Sequence, residues 1–243
     1  MPSYRDTAVV LRTHKLGEAD RIVTLLTKTR GRVRAVAKGV RRTSSRIGAR
    51  LEPGSYVDVQ CYEGRNLDTV TQVVSLANYG AMLAPDYGRW TTAQAMVETA
   101  ERLTAEEGDP APQHFLLLVG GLRALASAEH DAGLVLDAYL LRSLAVAGWA
   151  ASFHDCASCG ATGPHRDFLV SGGGALCSDC RVAGATRPAS GTLPLMGALL
   201  AGDWAVADAA DARSRRDAAG LTAAYLQWHL ERKLRSLRYV ERD

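Results

Sequence analysis

The sequence predicts an α+β fold: a small closed barrel of β-strands over residues 1–80, then a helical body over residues 81–243 that carries a four-cysteine insert at 154–182. Three observations predict it. Short β-prone runs separated by Gly and Pro fill the first part. From Thr91 onward, apolar residues recur at spacings of three and four. Two C-x2-C pairs interrupt the helical pattern.

The strands are expected at Thr7–Leu11, Ile22–Thr27, Arg32–Lys38, Tyr56–Tyr62 and Leu67–Val74, punctuated by Gly17, Gly31, Pro53–Gly54 and Glu63–Gly64. Five short strands in so brief a span favour closure, which leaves no exposed edge. After Tyr79, "YGAMLAPDYGRW" reads as a connector. Ala93, Met96, Val97, Ala100 and Leu103 mark a first helix, ended by "EEGDPAP". Phe115–Ala126 is a second. Ala132–Trp149 is a third, apolar on nearly all sides and so expected at the centre of the helical core. The cysteine insert follows, then a "PASGTLP" loop, and helices resume near Leu195 and from Asp211 to Tyr239.

A chain of 243 residues with 47% hydrophobic content is long and apolar enough for a real core, which excludes a disordered or fibrous class. No apolar h-region opens it, and no uncharged apolar run reaches about 18 residues, the length a membrane span needs. A cytoplasmic protein without a membrane partner is expected. Charge is unevenly spread. Residues 1–50 hold thirteen Lys or Arg against three acids, a net of +10 in a chain whose total is +3. That asymmetry points to a polyanion, with an anionic membrane surface as the rival partner and simple solubility as the bland reading.

The third strand focuses this charge. Alternation sends Val33, Ala35 and Ala37 inward and Arg32, Arg34 and Lys38 outward, with Val36 among them. The outward row starts at Arg30 and runs into a loop holding Arg41, Arg42 and Arg46, with the hydroxyls of Thr43, Ser44 and Ser45. This is the footprint of a groove for a nucleic-acid backbone. The basic strand has no aromatic, so Tyr56 and Tyr62 on a neighbouring strand are the candidates for base stacking.

Cys156, Cys159, Cys177 and Cys180 form two C-x2-C pairs 17 residues apart. Each pair presents two thiolates to one metal, and four sulfurs complete a tetrahedron. One structural zinc is the expected ion; an iron–sulfur cluster takes the same ligand set. Two disulfides suit poorly a chain without a secretion signal. With four protein ligands, no position is left for an activated water. His154 and His165 lie nearby and are expected as surface or packing residues, and Cys61 as a small buried hydrophobe. No phosphate loop, dinucleotide fingerprint, H-E-x-x-H or nucleophile elbow occurs, and Asp155, Asp167 and Asp179 form no recognisable nuclease set. No enzyme is expected. Near the C-terminus, Leu226, Leu230, Leu234 and Leu237 form a stripe interleaved with Arg232, Lys233, Arg235 and Arg238. The stripe reads most simply as core. The alternatives are a groove with a basic rim for an acidic, hydrophobic peptide, or a second DNA contact.

From Gly17 through Gly54, "GEADRIVTLLTKTRGRVRAVAKGVRRTSSRIGARLEPG" resembles the signature region of the RecO family of bacterial recombination mediators. The cysteine insert and its "GGGALCSDC" approach resemble the zinc-bearing, actinobacterial-like members. The ordered set covers essentially the whole chain. One departure is Gly54, where the resemblance implies an aromatic residue. The resemblance implies an OB-fold barrel, an all-α domain with a structural zinc, and no nucleotide cofactor. It implies binding to single- and double-stranded DNA and annealing of complementary strands, in DNA repair and homologous recombination. As partners it implies the ring protein RecR, the acidic C-terminal tail of single-strand-binding protein (SSB), docked on the helical domain, and indirectly the RecA recombinase, at the nucleoid. Without the resemblance, an RNA-binding or translation-associated module with a zinc ribbon fits the barrel and metal features equally well.

Overall fold

The computed structural model describes residues 2–42, 45, 47–230 and 234–240. Five strands build the first part: β1 (Ser3–Leu16), β2 (Asp20–Thr27), β3 (Gly31–Ala37), β4 (Ser55–Tyr62) and β5 (Asp68–Asn78). They hydrogen-bond in the order β1-β2-β3-β5-β4, and the ring closes because β4 pairs back with β1. β1 is much longer than the sequence suggests. Its register shifts between Val10 and Arg12, and that irregularity lets one strand pair with β4 along its first half and with β2 along its second. Four of the pairings are antiparallel, while β3 and β5 run parallel, so the sheet is mixed.

Inward alternation supplies the core. Ala8, Val10, Val23, Leu25, Ala35, Ala37, Val57, Val59, Cys61, Val70 and Val73 are buried together. Cys61 sits at 0% exposure, and burial pushes its thiol up to about 11, so it acts as a small hydrophobe. Gly54 follows Pro53 with φ +82°, and a Cβ there would come within 3.3 Å of the Gly80 amide nitrogen. The turn where an aromatic was implied is thus shaped for glycine.

The helices are α1 (Tyr79–Leu83), α2 (Tyr87–Leu103), α3 (Pro112–Ser127), α4 (Ala132–Val146), α5 (Thr192–Ala201), α6 (Trp204–Asp208) and α7 (Ala212–Leu230). Asp86 caps α2 by accepting from Arg89 N, and Asp131 caps α4 by accepting from Leu134 N. α4 is buried on nearly all sides, from Leu134 to Leu144, as its composition predicts. It stops before Trp149. Gly148 turns left-handed at φ +89°, its N–H donates to Ala145 O, and Trp149 N–H donates to Leu144 O, which closes the helix end. The expected last helix does not reach Tyr239: α7 is described to Leu230, and from Leu234 the described chain runs as bends and one 3-10 turn, Leu237–Tyr239.

The α+β class stands, but the expected division of it, an OB-fold barrel followed by an all-α domain, is corrected. The chain forms two compact units, Met1–Ser127 and Ala128–Asp243. The mixed sheet is not a strand-only domain, because α1, α2 and α3 share its unit. The second unit is not all-α, because β6 (Asp167–Leu169) and β7 (Gly174–Leu176) pair in it. Periodicity reports where strands and helices lie. It does not report strand direction or which surface a helix packs on. Among the described residues no helix is long and apolar enough to cross a membrane.

Candidate nucleic-acid interface and metal centre

β3 positions the basic row. Ala35 and Ala37 point into the core, so Arg34 is exposed on the opposite face, with Lys38 exposed just past the strand end and Arg32 and Val36 half-buried. Carboxylates answer one half of this row. Arg30 Nη1 lies 2.6 Å from Glu63 Oε1, and its guanidinium sits 3.9 Å over the Tyr4 ring. Glu107 Oε1 lies 3.6 Å from Arg34 Nη1 and 4.0 Å from Arg32 Nη2. Arg32 also donates to the Ala105 carbonyl, and Gly108 N–H donates to Arg32 O at 3.0 Å. The α2–α3 loop thus runs along β3, with Arg32 and Glu107 in a parallel bridge. Gly31 makes this approach possible, since a Cβ there would fall 1.7 Å from Asp109 O.

The other end differs. Lys38 and Arg42 are exposed and make no ion pair with any described residue. Arg41 N–H donates to Ala19 O at 2.9 Å, Arg41 Nη1 to Gly17 O at 3.1 Å, and Gly39 N–H to Asp20 Oδ1 at 2.7 Å. These bonds hold the turn after β3 against the β1–β2 hairpin. The hairpin adds exposed Lys15, which pairs with Arg21, which in turn pairs with Ala37. It also adds one exposed carboxylate, Glu18. Lys15 was missed in the sequence because only strand register brings it to this edge. Arg46, with Thr43 and Ser44, lies outside the described residues. Of the two stacking candidates, Tyr56 packs against Phe115 with ring centroids 6.1 Å apart, while Tyr62 is exposed.

In the second unit the four cysteines converge. The Sγ atoms of Cys156, Cys159, Cys177 and Cys180 all lie within 4.8 Å of one another, and Cys159 and Cys177 are 3.8 Å apart. A tetrahedral zinc with sulfur bonds of about 2.3 Å has sulfur–sulfur edges of about 3.8 Å, so the cluster is positioned to coordinate one structural zinc ion. A disulfide needs about 2 Å, and all four thiols are free. The first pair is shaped by Gly160, at φ +72°, whose N–H donates to Cys156 O at 2.9 Å; Ala157 N–H reaches Ala175 O at 2.8 Å and ties that turn to β7. Backbone N–H groups, first of Cys177 and then of Cys159, pull the Cys156 thiol down to about 6. At Cys180 the Ser158 hydroxyl favours the thiolate, but crowding by Cys177 and Cys159 prevails and pushes the thiol up to about 12. One thiolate forms easily while Cys159 and Cys180 resist, a conflict that a bound divalent cation removes.

The nearby histidines are engaged elsewhere: His154 Nδ1 with Asp155 Oδ1 and His165 Nε2 with Ala161 O, both at 2.8 Å. Asp167 is buried in a bidentate pair with Arg187 at 3.0 and 2.7 Å, with Arg181 at 3.3 Å, and Arg187 holds its carboxyl below the usual range. It is a structural carboxylate. Phe168 on β6 stacks on Phe153 at 6.0 Å and meets Tyr225 of α7 edge-on at 6.3 Å, so the metal centre is built into the helical core. Of the C-terminal stripe, Leu226 and Leu234 are buried and Leu230 and Leu237 half-buried, and Tyr225 beside them is buried. Arg238 lies over the Tyr239 ring at 4.6 Å, and Arg232 and Lys233 lie outside the described residues.

Comparison with known proteins matches both halves. The family described as Recombination protein O N terminal matches residues 1–79, and Recombination protein O C terminal matches residues 84–238. The chain is 64% identical over 242 residues to the DNA repair protein RecO of a Nocardioides species, covering 98% of this chain and 99% of that one. It is 60% identical to the DNA repair protein RecO of Thermobifida fusca, covering both chains in full. Streptomyces griseus has a relative of the same name at 59% identity over 248 residues. The chain belongs to the recombination protein O family of DNA repair and recombination proteins.

Proposed function

We propose that this recombination mediator grips the phosphate backbone of single- and double-stranded DNA with the basic end of β3 and speeds the pairing of complementary strands. The observation that carries the reading is the gathering of exposed Lys38, Arg41, Arg42 and Lys15 at one edge, where Lys38 and Arg42 have no carboxylate partner among the described residues. Arg30, Arg32 and Arg34 extend that surface, and Arg46 is assigned to the same role from the sequence alone. Two strands repel through their phosphates; a basic edge neutralises part of that charge and concentrates both strands. Contact to the backbone implies weak sequence preference.

In this reading residues 1–80 bind DNA and residues 81–243 meet protein partners, with the insert at 154–182 held by zinc. The partners are a RecR-like ring protein and the acidic tail of single-strand-binding protein, with Arg232, Lys233, Arg235 and Arg238 as a rim for that tail or a second DNA contact. Recombinase loading onto coated strands follows, in the cytoplasm at the nucleoid. What supports the partner assignments is family membership together with the clustering of base near the C-terminus.

The test mixes complementary fluorescent strands, each coated by the cognate single-strand-binding protein, and records pairing with and without this protein at low and moderate salt. Faster pairing, weakened by salt and by Arg41→Ala with Arg42→Ala to the same degree on unrelated sequences, is the expected outcome. No acceleration at either salt sinks the annealing role, and a preference for RNA strands points to the translation-associated reading.

A further inference from the structure

We infer that the α2–α3 loop, residues 105–109, is a built-in competitor for DNA: its carboxylate holds the β3 guanidiniums in the place of a phosphate, and the nucleic-acid backbone displaces it. The inference rests on the reading that the β3 face binds DNA.

Four observations carry it. First, one carboxylate, Glu107, faces both Arg32 and Arg34, at 4.0 and 3.6 Å, the two charges that a backbone tracking β3 would neutralise. Second, the loop lies on the strand like an added segment, through Gly108 N–H to Arg32 O and Arg32 to Ala105 O. Third, the cover is incomplete. Arg32 Nε is buried with no hydrogen-bond partner among the described residues, a donor for which the closed arrangement has no acceptor. Fourth, the loop is cheap to lift. Ala105 to Pro110 are all exposed, so no apolar side chain must be pulled from a core. Its two ends stay fixed, at Thr104, buried with its hydroxyl on Ala100 O, and at α3, anchored by buried Phe115. Gly108, at φ +77°, gives the backbone freedom between them.

Such a cover lowers apparent affinity by the fraction of molecules that carry it. It discriminates against isolated small anions, which gain nothing by displacing it. A polyanion already held at Lys38, Arg41 and Arg42 reaches Arg34 and Arg32 as an intramolecular step, at high effective concentration.

The experiment measures binding of a fluorescein-labelled 30-nucleotide single strand by anisotropy across a salt series, for the full chain, Glu107→Gln and Glu106→Gln. Both variants remove one negative charge from the same loop, but Glu106 makes no ion pair with a described residue. Glu107→Gln is expected to bind about three- to tenfold tighter, since two ion pairs, one of them half-buried at Arg32, are lost, with a salt slope steeper by about one. Glu106→Gln should stay near the parent. In parallel, hydrogen exchange at the Gly108 amide should speed up when DNA is added. Equal gains from both variants would show a general charge effect and overturn the inference. So would an unchanged or weaker Glu107→Gln, or a Gly108 amide whose protection persists at saturating DNA. If the parent chain binds DNA and these results follow, only the cover is lost; if neither parent nor variants bind, the reading of β3 as a DNA surface falls with it.

Discussion

The two ends of β3 carry the same kind of residue and differ in what answers it. At Arg30, Arg32 and Arg34, carboxylates arrive from the segment after β4 and from the α2–α3 loop. At the other end only Arg41 bonds to the β1–β2 hairpin, through the Ala19 and Gly17 carbonyls, and Lys38 and Arg42 pair with no carboxylate among the described residues, which leaves charge to spare. The lesson is that a run of base in a sequence counts charges without saying which are available. Availability is decided by distant segments that the fold returns to the strand.

The largest effect is expected from unfolding the other unit. Cys177→Ser, or stripping the metal with a chelator, removes the cation that reconciles four crowded thiols. Structural zinc is worth on the order of 10 kcal/mol in small zinc domains, so a fall in the midpoint of the helical unit by about 10 °C or more is expected. Phe168 transmits the loss to Tyr225. Near-ultraviolet circular dichroism and calorimetry read it. The salt dependence of DNA binding should survive, because both ends of β3 and all their partners lie within Met1–Ser127. Loss of DNA binding in step with the metal would show that the basic end does not act alone.

Next in size is the charge itself. Replacing Lys38, Arg41 and Arg42 with Ala should flatten the plot of log affinity against log salt by about two units, at roughly 0.7 per phosphate contact on single strands. Replacing Arg30, Arg32 and Arg34 with Gln should flatten it by less than half as much, since those charges are already partly neutralised. Equal slopes from the two triples would erase the distinction between the ends.

How much of this was legible without coordinates follows the same division between local and distant. Alternation placed Ala35 and Ala37 inward and Arg34 outward, because period two is a local property of a strand. The C-x2-C spacing named all four cysteines of the cluster, since each turn is local and only their meeting is tertiary. Glu63 and Glu107 were invisible as partners, for they reach β3 through a β4–β5 turn and an interhelical loop far along the chain. Lys15 was invisible for the same reason. The helix limits failed where a stop signal was overridden by an apolar pattern: Gly148 ends α4 although Trp149 continues its hydrophobic run. The metal insert's short strands, three residues each, are too brief for any periodic signal.

The smallest effect is expected within the covered end. Arg32→Gln with Arg34→Gln should weaken single-strand binding only about twofold in the parent, because a surface ion pair already occupies both groups. In a Glu107→Gln background the same pair of changes should cost several-fold more, since the arginines there face DNA without a competitor. A double-mutant cycle isolates this coupling, as residues sharing one ion-pair network are not additive. Additive losses, equal in the two backgrounds within error, would mean that Glu107 and DNA do not compete for the same guanidiniums. The two ends of β3 would then differ in local charge alone, and the loop beside Arg32 would be a structural brace that DNA binding leaves in place.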